Sequence, residues 1–225
     1  MDVSIIGRVR KLLEGIDASS VSDNEQIALT PQLEVLVAMG PPAYQETVRM
    51  GRAFSVINAA AVAAVVAIPT TAVNLAIYNN APDGGRSLII DAIGALNVVS
   101  TAIAAQAQML VCTGQVREAA PVDAALAIKK HNGYASGSPD SVVRTIVGGT
   151  ALPATTGLAA NWFPLGSSVT KPGVAATPGY GIWVPADGRY IVPPGRYFAV
   201  QVIAPVVGET FITMISWHEA QLNLG

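Results

Sequence analysis

The sequence predicts an all-β antiparallel sandwich with a short α-helical appendage at the N-terminus. Three observations carry the prediction. The last forty or so residues read as long runs of β-branched and aromatic residues cut by glycine and proline. The region from about 121 to 186 is crowded with turn-forming residues and holds only short apolar runs, as a β domain with long loops does. No repeat of fixed period is visible, which weighs against propellers and solenoids.

At the start of the chain, Ile5, Ile6, Val9, Leu12, Leu13 and Ile16 follow the spacing of one helix face, with Arg8, Arg10, Lys11 and Glu14 between them. A helix this short is marginal in water, so its apolar stripe is expected to dock on its own domain, a sister chain or another protein. Residues 17–26, DASSVSDNEQ, are small, polar and acidic and read as a linker. The expected division is therefore a helix and linker over 1–28 and a β domain over 29–225.

Within that domain, Leu33, Val35 and Val37 mark a strand over 29–39 that stops at Gly40, Pro41 and Pro42. Residues 43–50 suit a short helix, with Tyr44 and Val48 on one side and Gly51 closing it. A strand over 54–57 leads into an alanine-valine tract that reads as a strand or loop pair. The apolar stretch 53–68 is about 16 residues long, contains Asn58, and falls short of the ~20 that a membrane-spanning helix needs. In VNLAIYN, Val73, Leu75 and Ile77 are expected to face inward and Asn74 and Tyr78 outward. Asp83, Gly84 and Gly85 supply a tight reversal before the apolar run 88–99, and another strand covers 106–113.

The carboxy-terminal stretch is the clearest. A short run, 190–192, meets a turn at Pro193, Pro194 and Gly195. Runs 196–207 and 210–219 then read as two long strands joined as a hairpin around Gly208. Phe198, Val200 and Val202 share one face of the first; Tyr197, Ala199 and Gln201 share the other. In the second, Phe211, Ile215 and Trp217 lie on one face, yet Ile212 and Met214 make the other face apolar too. The expected core comprises Leu75, Ile77, Leu88, Ile90, Phe198, Val200, Val202 and Trp217.

Only 12% of the 225 residues are charged and 51% are hydrophobic, with a mean hydropathy of +0.45. Soluble chains average about 25% charged residues. The apolar excess points to a homo-oligomer, because soluble monomers rarely expose large apolar patches. A net charge of -2 with no basic stripe argues against a nucleic-acid partner. No secretory signal and no membrane span are expected. The one cysteine, Cys112, excludes an internal disulfide framework and reads as a buried apolar residue.

Catalytic chemistry is hard to assemble from this sequence, and neither an enzyme activity, a metal nor a cofactor is expected. His131 and His218 have no second histidine or cysteine at ligand spacing. His218 and Glu219 are adjacent on a strand and so point to opposite faces. Ser136, Ser138 and Ser141 lie outside any nucleophile elbow, and Lys171 lacks the glycines of a phosphate loop. Asp91, Asp123, Asp140 and Asp187 read as isolated. Trp162, Tyr180 and Trp183 stand among loops and could form an aromatic platform for a sugar, although such residues more often plug a sandwich end or lie at a subunit boundary.

The pattern VPPGRYFAVQV followed by TFITMISWHEA resembles the last strands of jelly-roll domains in phage fibre heads, capsid decoration proteins and tumour-necrosis-factor-like trimeric heads. LTPQLEVLVAMGPPAYQETVRMGRAF, followed by AIPTTAVNLAIYNNAPDGGRSLIIDAIG, is similar to the opening of such phage domains. The resemblance spans about residues 30–219 and implies a jelly-roll-like sandwich in a trimeric, non-enzymatic component of a bacteriophage virion. Capsid decoration, head fibre and vertex protein all fit it. The alternative is a receptor- or carbohydrate-binding fibre head. The chain would attach to a capsid or other virion protein through its N-terminal segment, and the expected assembly residues are Ile5, Val9, Leu12, Leu13, Ile212, Met214 and Ile215. Deleting residues 1–26 is expected to leave a folded β domain, since the linker offers few groups able to pack. Loss of the cooperative melting transition in that truncation would place the helix in the core instead.

Overall fold

The structure is a computed structural model that describes residues 45–68, 73–99, 105–133, 140–148, 152, 162–171, 180–205 and 208–222. The expected N-terminal helix with Ile5, Val9, Leu12 and Leu13, the linker, and the strand over 29–39 all lie outside these residues. The chain divides into two compact units, Met1–Glu46 and Thr47–Gly225, and nearly everything described below belongs to the second. The short helix α1 (Gln45–Arg49) ends as its sequence suggests. Gly51 adopts φ 68°, and the Gly51 and Arg52 N–H groups donate to the Val48 and Thr47 carbonyls, both at 2.9 Å.

The rest is almost entirely strand: β1 (Ala53–Ile57), β2 (Val62–Ala63), β3 (Leu75–Asn79), β4 (Ser87–Val99), β5 (Ala105–Thr113), β6 (Lys129–Lys130), β7 (Val143–Val147), β8 (Trp162–Lys171), β9 (Gly181–Val192), β10 (Tyr197–Ile203) and β11 (Thr210–Ala220). They form two antiparallel sheets packed as a sandwich. The front sheet runs β6-β1-β11-β4-β9, with β2 also against β11, and the back sheet runs β7-β3-β10-β5-β8. The centre of the chain is less loop-like than its glycines and prolines suggest. Strands β8 and β9 run through Pro164 and Pro185, both of which lie in outermost strands, where a missing N–H need not break a ladder.

Chain neighbours repeatedly change sheet. The expected hairpin over 196–219 does not form: β10 pairs with β3 and β5, whereas β11 pairs with β1, β2 and β4. The reason lies in the inner faces of these strands. A hairpin would set the Phe198 and Trp217 faces side by side on one surface that still needed a cover, while a crossover sets them against each other. The reversal at 80–86 is likewise a corner between sheets, from β3 to β4. Of its three turn-forming residues only Gly84 has positive φ, at 74°. Gly85 serves a different end, since a Cβ there would meet the Pro82 carbonyl oxygen at 2.7 Å.

Corners between sheets strand backbone polar groups away from both ladders, and buried side chains answer them. The Asn79 amide donates to the carbonyls of Arg86 at 2.8 Å and Val192 at 2.9 Å and accepts from Ala81 N–H at 3.0 Å. Its own backbone joins Arg196 and Gly195. At the opposite end of β3, Asn74 Oδ1 accepts from Val202 N–H at 2.6 Å, and its amide donates to the Ala63 carbonyl at 3.3 Å. Asn74 was expected to face solvent. It is buried because the β10 backbone needs that acceptor.

All eight expected core residues are fully buried between the sheets, together with Phe54, Ile93, Met109, Phe211 and Ile215. The outer face of the back sheet holds a second cluster: Val73, Ala76, Tyr78, Leu110, Cys112, Ile146, Leu152, Trp162, Tyr197 and Ala199. Tyr78 does face outward from the back sheet, as expected, but it is covered there, and Tyr197, Ala199 and Gln201 are buried as well; Val73, expected to face inward, belongs to this outer cluster instead. The chain after β5 supplies part of the cover: the Tyr78 hydroxyl donates to the Glu118 carbonyl at 2.8 Å and the Tyr197 hydroxyl to the Ala119 carbonyl at 3.3 Å. Asp123 holds this segment to β7, accepting from Thr145 N–H and Oγ1 at 2.9 Å and from Ala125 N–H at 3.0 Å. Burial works to raise the Asp123 carboxyl, but these bonds and the charge of Arg144 outweigh it and hold the group below its ordinary value.

Two predictions follow from this packing. Val200 is wholly enclosed, so Val200→Asp is expected to abolish cooperative folding; an unpaired buried carboxylate costs several kcal/mol, on the order of a whole domain's stability. A soluble variant with a normal melting curve would contradict the β10 placement. The second concerns pH. Burial pushes the Cys112 thiol up from 9.0 to about 12. Burial, then Tyr78 and Glu118, push the Tyr197 hydroxyl from 10.0 to about 12. The unfolded chain loses these protons first, so their stabilising contribution is complete below pH 9 and disappears as pH rises from 9 to about 12. Denaturation titrations of Cys112→Ala should show a shallower fall between pH 9 and 10, before the unfolded-state tyrosines ionise. An unchanged slope there would exclude the thiol as its source.

Candidate functional site

The front sheet treats its outer face differently from the back sheet. Inward-pointing residues on β11 are Phe211, Thr213, Ile215 and Trp217; Ile212, Met214, Ser216 and His218 point outward. Register carries the outward set across the sheet, so that Ile57, Met214, Gly94 and Trp183 form one lateral row. The row beside it joins Ile212, Leu96 and Gly181. Ile57 and Leu96 are each 48% exposed and Trp183 is 60% exposed. The Trp183 ring rests on Gly94, where an added Cβ would lie 2.9 Å from its Cε3. That glycine leaves room for the indole to lie over the strand.

On this face of β4 and β11, Asp91 and His218 lie together. His218 Nδ1 lies 2.8 Å from Asp91 Oδ1, both largely shielded. Asp91 sits where the pairing register of β4 slips against β9 and, beside it, against β11. Such a bulge re-aims a side chain. Asp91 was expected to be isolated, and nothing in its neighbourhood along the chain announces His218. Glu219 points inward, where it accepts from Ser141 Oγ at 2.7 Å and Val142 N–H at 3.2 Å and lies 3.4 Å from Arg86.

A second buried carboxylate precedes β11. Glu209 accepts from the Tyr180 hydroxyl at 2.7 Å and from Asn97 Nδ2 at 3.0 Å. Burial, then the hydrogen bond and charge of Glu209, push the Tyr180 hydroxyl far above its ordinary value. Tyr180 also meets Phe211 edge-on, with ring centroids 5.9 Å apart. Its tip and face are thus engaged within the domain.

The structure does not bring the three candidate platform aromatics together. Trp162 is buried in the outer cluster of the back sheet, Tyr180 is tied to Glu209, and Trp183 lies on the outer face of the front sheet. The assembly candidates also separate. Ile212 and Met214 lie on the outer face, half-buried, but Ile215 is enclosed in the core, so it cannot meet a partner. Sequence reasoning missed Ile57, Leu96 and Trp183 as members of this face, because only register reveals that they share rows with Met214 and Ile212. Among the described residues, no three His, Cys, Asp or Glu side chains converge as metal ligands would. Nor is any described helix long and apolar enough to cross a membrane.

The sequence matches no family model and no curated protein. Among solved structures, the cryo-EM structure of Mud Crab Dicistrovirus aligns with 100% of this chain and 92% of its own at 12% identity, with a TM-score of 0.19. A likeness that weak says nothing about fold or function.

Proposed function

We propose that this chain is a non-enzymatic structural component of a phage virion, a capsid decoration, head-fibre or vertex protein that works as a symmetric trimer. The observation that carries the reading is the uncovered apolar face formed by Ile57, Leu96, Trp183, Ile212 and Met214. The chain covers the outer face of its back sheet with its own residues and leaves these side chains on the front. Contiguous exposed apolar surface of this kind marks an interaction site, and a chain with 12% charged residues has little charge to oppose association through it.

A jelly-roll arrangement supports the same reading. The pairs β1 with β11, β3 with β10, β4 with β9 and β5 with β8 are nested, outermost strands in the chain pairing first and innermost last. One long antiparallel ribbon folded across two sheets produces that nesting, and viral capsid domains are among the proteins that use it. Strands β6 and β7 come from the long connection between β5 and β8 and extend the two sheets beyond β1 and β3. In this reading the N-terminal segment, with Ile5, Val9, Leu12 and Leu13, attaches the trimer to its virion partner.

Native mass measurement of the full chain tests the assembly. A trimer is expected at micromolar concentration, and Met214→Lys or Leu96→Lys is expected to yield folded monomers with a normal melting transition. Ile215→Lys should abolish folding, because that side chain is enclosed. A wild type that remains a monomer would remove the physical support for a structural virion role.

A further inference from the structure

One end of the sandwich carries almost no charge. The stretches 53–82, 92–116 and 197–208 contain no Asp, Glu, Lys or Arg. They supply β1, β3, β5, β10 and most of β4, and the strand register turns this gap in the sequence into a gap in space. At the end where β4 stops, β5 starts and β10 stops, the charged positions among the described residues are Lys171, at the close of β8, and the buried Glu209. The ion-paired groups Arg86, Arg117 and Lys130 lie at the opposite end, by the corner after β3 and the connections after β5 and β6.

An apolar strap closes the uncharged end. Residues 59–68 are all Ala, Val or Ile, and they pass from one sheet to the other: Val62 and Ala63 pair with β11, and Val65 bridges to Ile203 at the end of β10. The strap's backbone is engaged from within the domain. Ala64 N–H donates to the Glu209 carbonyl at 2.8 Å and Val65 N–H to the Val202 carbonyl at 3.1 Å, while the Val65 carbonyl accepts from Ala204 N–H at 3.0 Å. The Ala63 carbonyl accepts from Asn74 Nδ2 at 3.3 Å. Several side chains are left to the outside. Val66 is 62% exposed and Ile68 56%, and Val99, in one row with Thr210 and Ala63, is 53% exposed. Beside the strap an open cleft of about 280 Å³ sets Val66, Ile203, Ala204 and Pro205 together with the amides of Gln106 and Gln108.

We propose that this end of the domain dips into the surface of a lipid bilayer of low charge, as a shallow contact and not a span. Protein interfaces are enriched in aromatic residues, Met and Arg and form about one hydrogen bond per 100–200 Å². The strap has none of those residues, and the backbone groups just named are already paired. A hydrocarbon layer asks for what is present: aliphatic side chains, no charge, and backbone polar groups satisfied internally. The neighbouring cleft adds two uncharged amides, which can donate to and accept from the headgroup layer above the acyl chains. The inference is independent of the trimer reading, since it uses none of the residues on the outer face of the front sheet that carry that reading.

Flotation of the full chain with phosphatidylcholine vesicles, at low and at high salt, tests it, beside vesicles that also contain phosphatidylserine. Binding to the uncharged vesicles is expected, with no loss at high salt, because screening weakens only electrostatic attraction. The double variant Val66→Asp with Ile68→Asp, both at exposed positions, is expected to keep its melting transition and to bind about tenfold more weakly or worse, since each new carboxylate must stay hydrated. Should that variant fail to fold, Val99→Asp takes its place, with an expected loss of about threefold. The proposal fails if the chain does not float with phosphatidylcholine, or if it floats only with phosphatidylserine and is released by salt. It fails equally if the folded variants float as well as the wild type, which would assign the binding to residues outside the strap. A double variant of altered native mass, from a wild type that ignores vesicles, would give the strap to a second copy of the chain instead. The trimer itself is read from the native mass of the wild type, so the two readings fail separately.

Discussion

The structure depends on one constraint: the apolar faces of β10 and β11 must be buried against each other across the sandwich, although the two strands follow one another in the chain. Phe198, Val200 and Val202 on one side and Phe211, Ile215 and Trp217 on the other are all fully enclosed. Each such side chain contributes about 1.5–3 kcal/mol when removed from water, far more than a hairpin's turn chemistry can set against it. The chain therefore crosses between sheets here, and again on either side of β4 and between β9 and β10. Crossing leaves backbone groups without ladder partners at the corners. Asn74 and Asn79 answer them, while Glu209 and Glu219 pin the two ends of β11.

The two outer faces then diverge. On the back sheet the chain is used twice, first as strand and then as cover, and Asp123 fastens that cover through Thr145. Its tyrosines keep apolar bodies against the sheet and direct their hydroxyls to carbonyls of the covering segment. On the front sheet the large apolar residues Ile57, Leu96 and Trp183 remain accessible, and His218 lies within hydrogen-bond distance of Asp91. A sheet face meant for water would alternate apolar-in with polar-out. The departure from that rule on β11 is visible in the sequence; its continuation onto three neighbouring strands is a matter of register.

How much could be read in advance differs by element, for physical reasons. Strands with strong two-residue periodicity were legible, and the residues assigned to the core from β3, β4, β10 and β11 are the ones enclosed. Gly51 ended α1 because a left-handed residue after a helix is a local requirement. Asn74 misled because its polarity says nothing about whether a backbone donor awaits it inside. Ile215 misled in a different way: two apolar faces on β11 were recognised, but alternation alone cannot say which is internal. Asp91 and His218 are far apart in the chain, and a bulge brings them together.

By itself the sequence determined that this is a β protein, where its clearest strands run, and which side chains are too apolar to remain in water. Those properties are local, or sums over composition, and need no knowledge of which strands are neighbours. Tertiary structure alone decided that consecutive strands part company into opposite sheets, and that Trp162 is interior to a cluster while Trp183 is exposed. Such facts depend on pairing between residues distant in the chain. That pairing is chosen by the burial of whole faces at once, which no single stretch of sequence records.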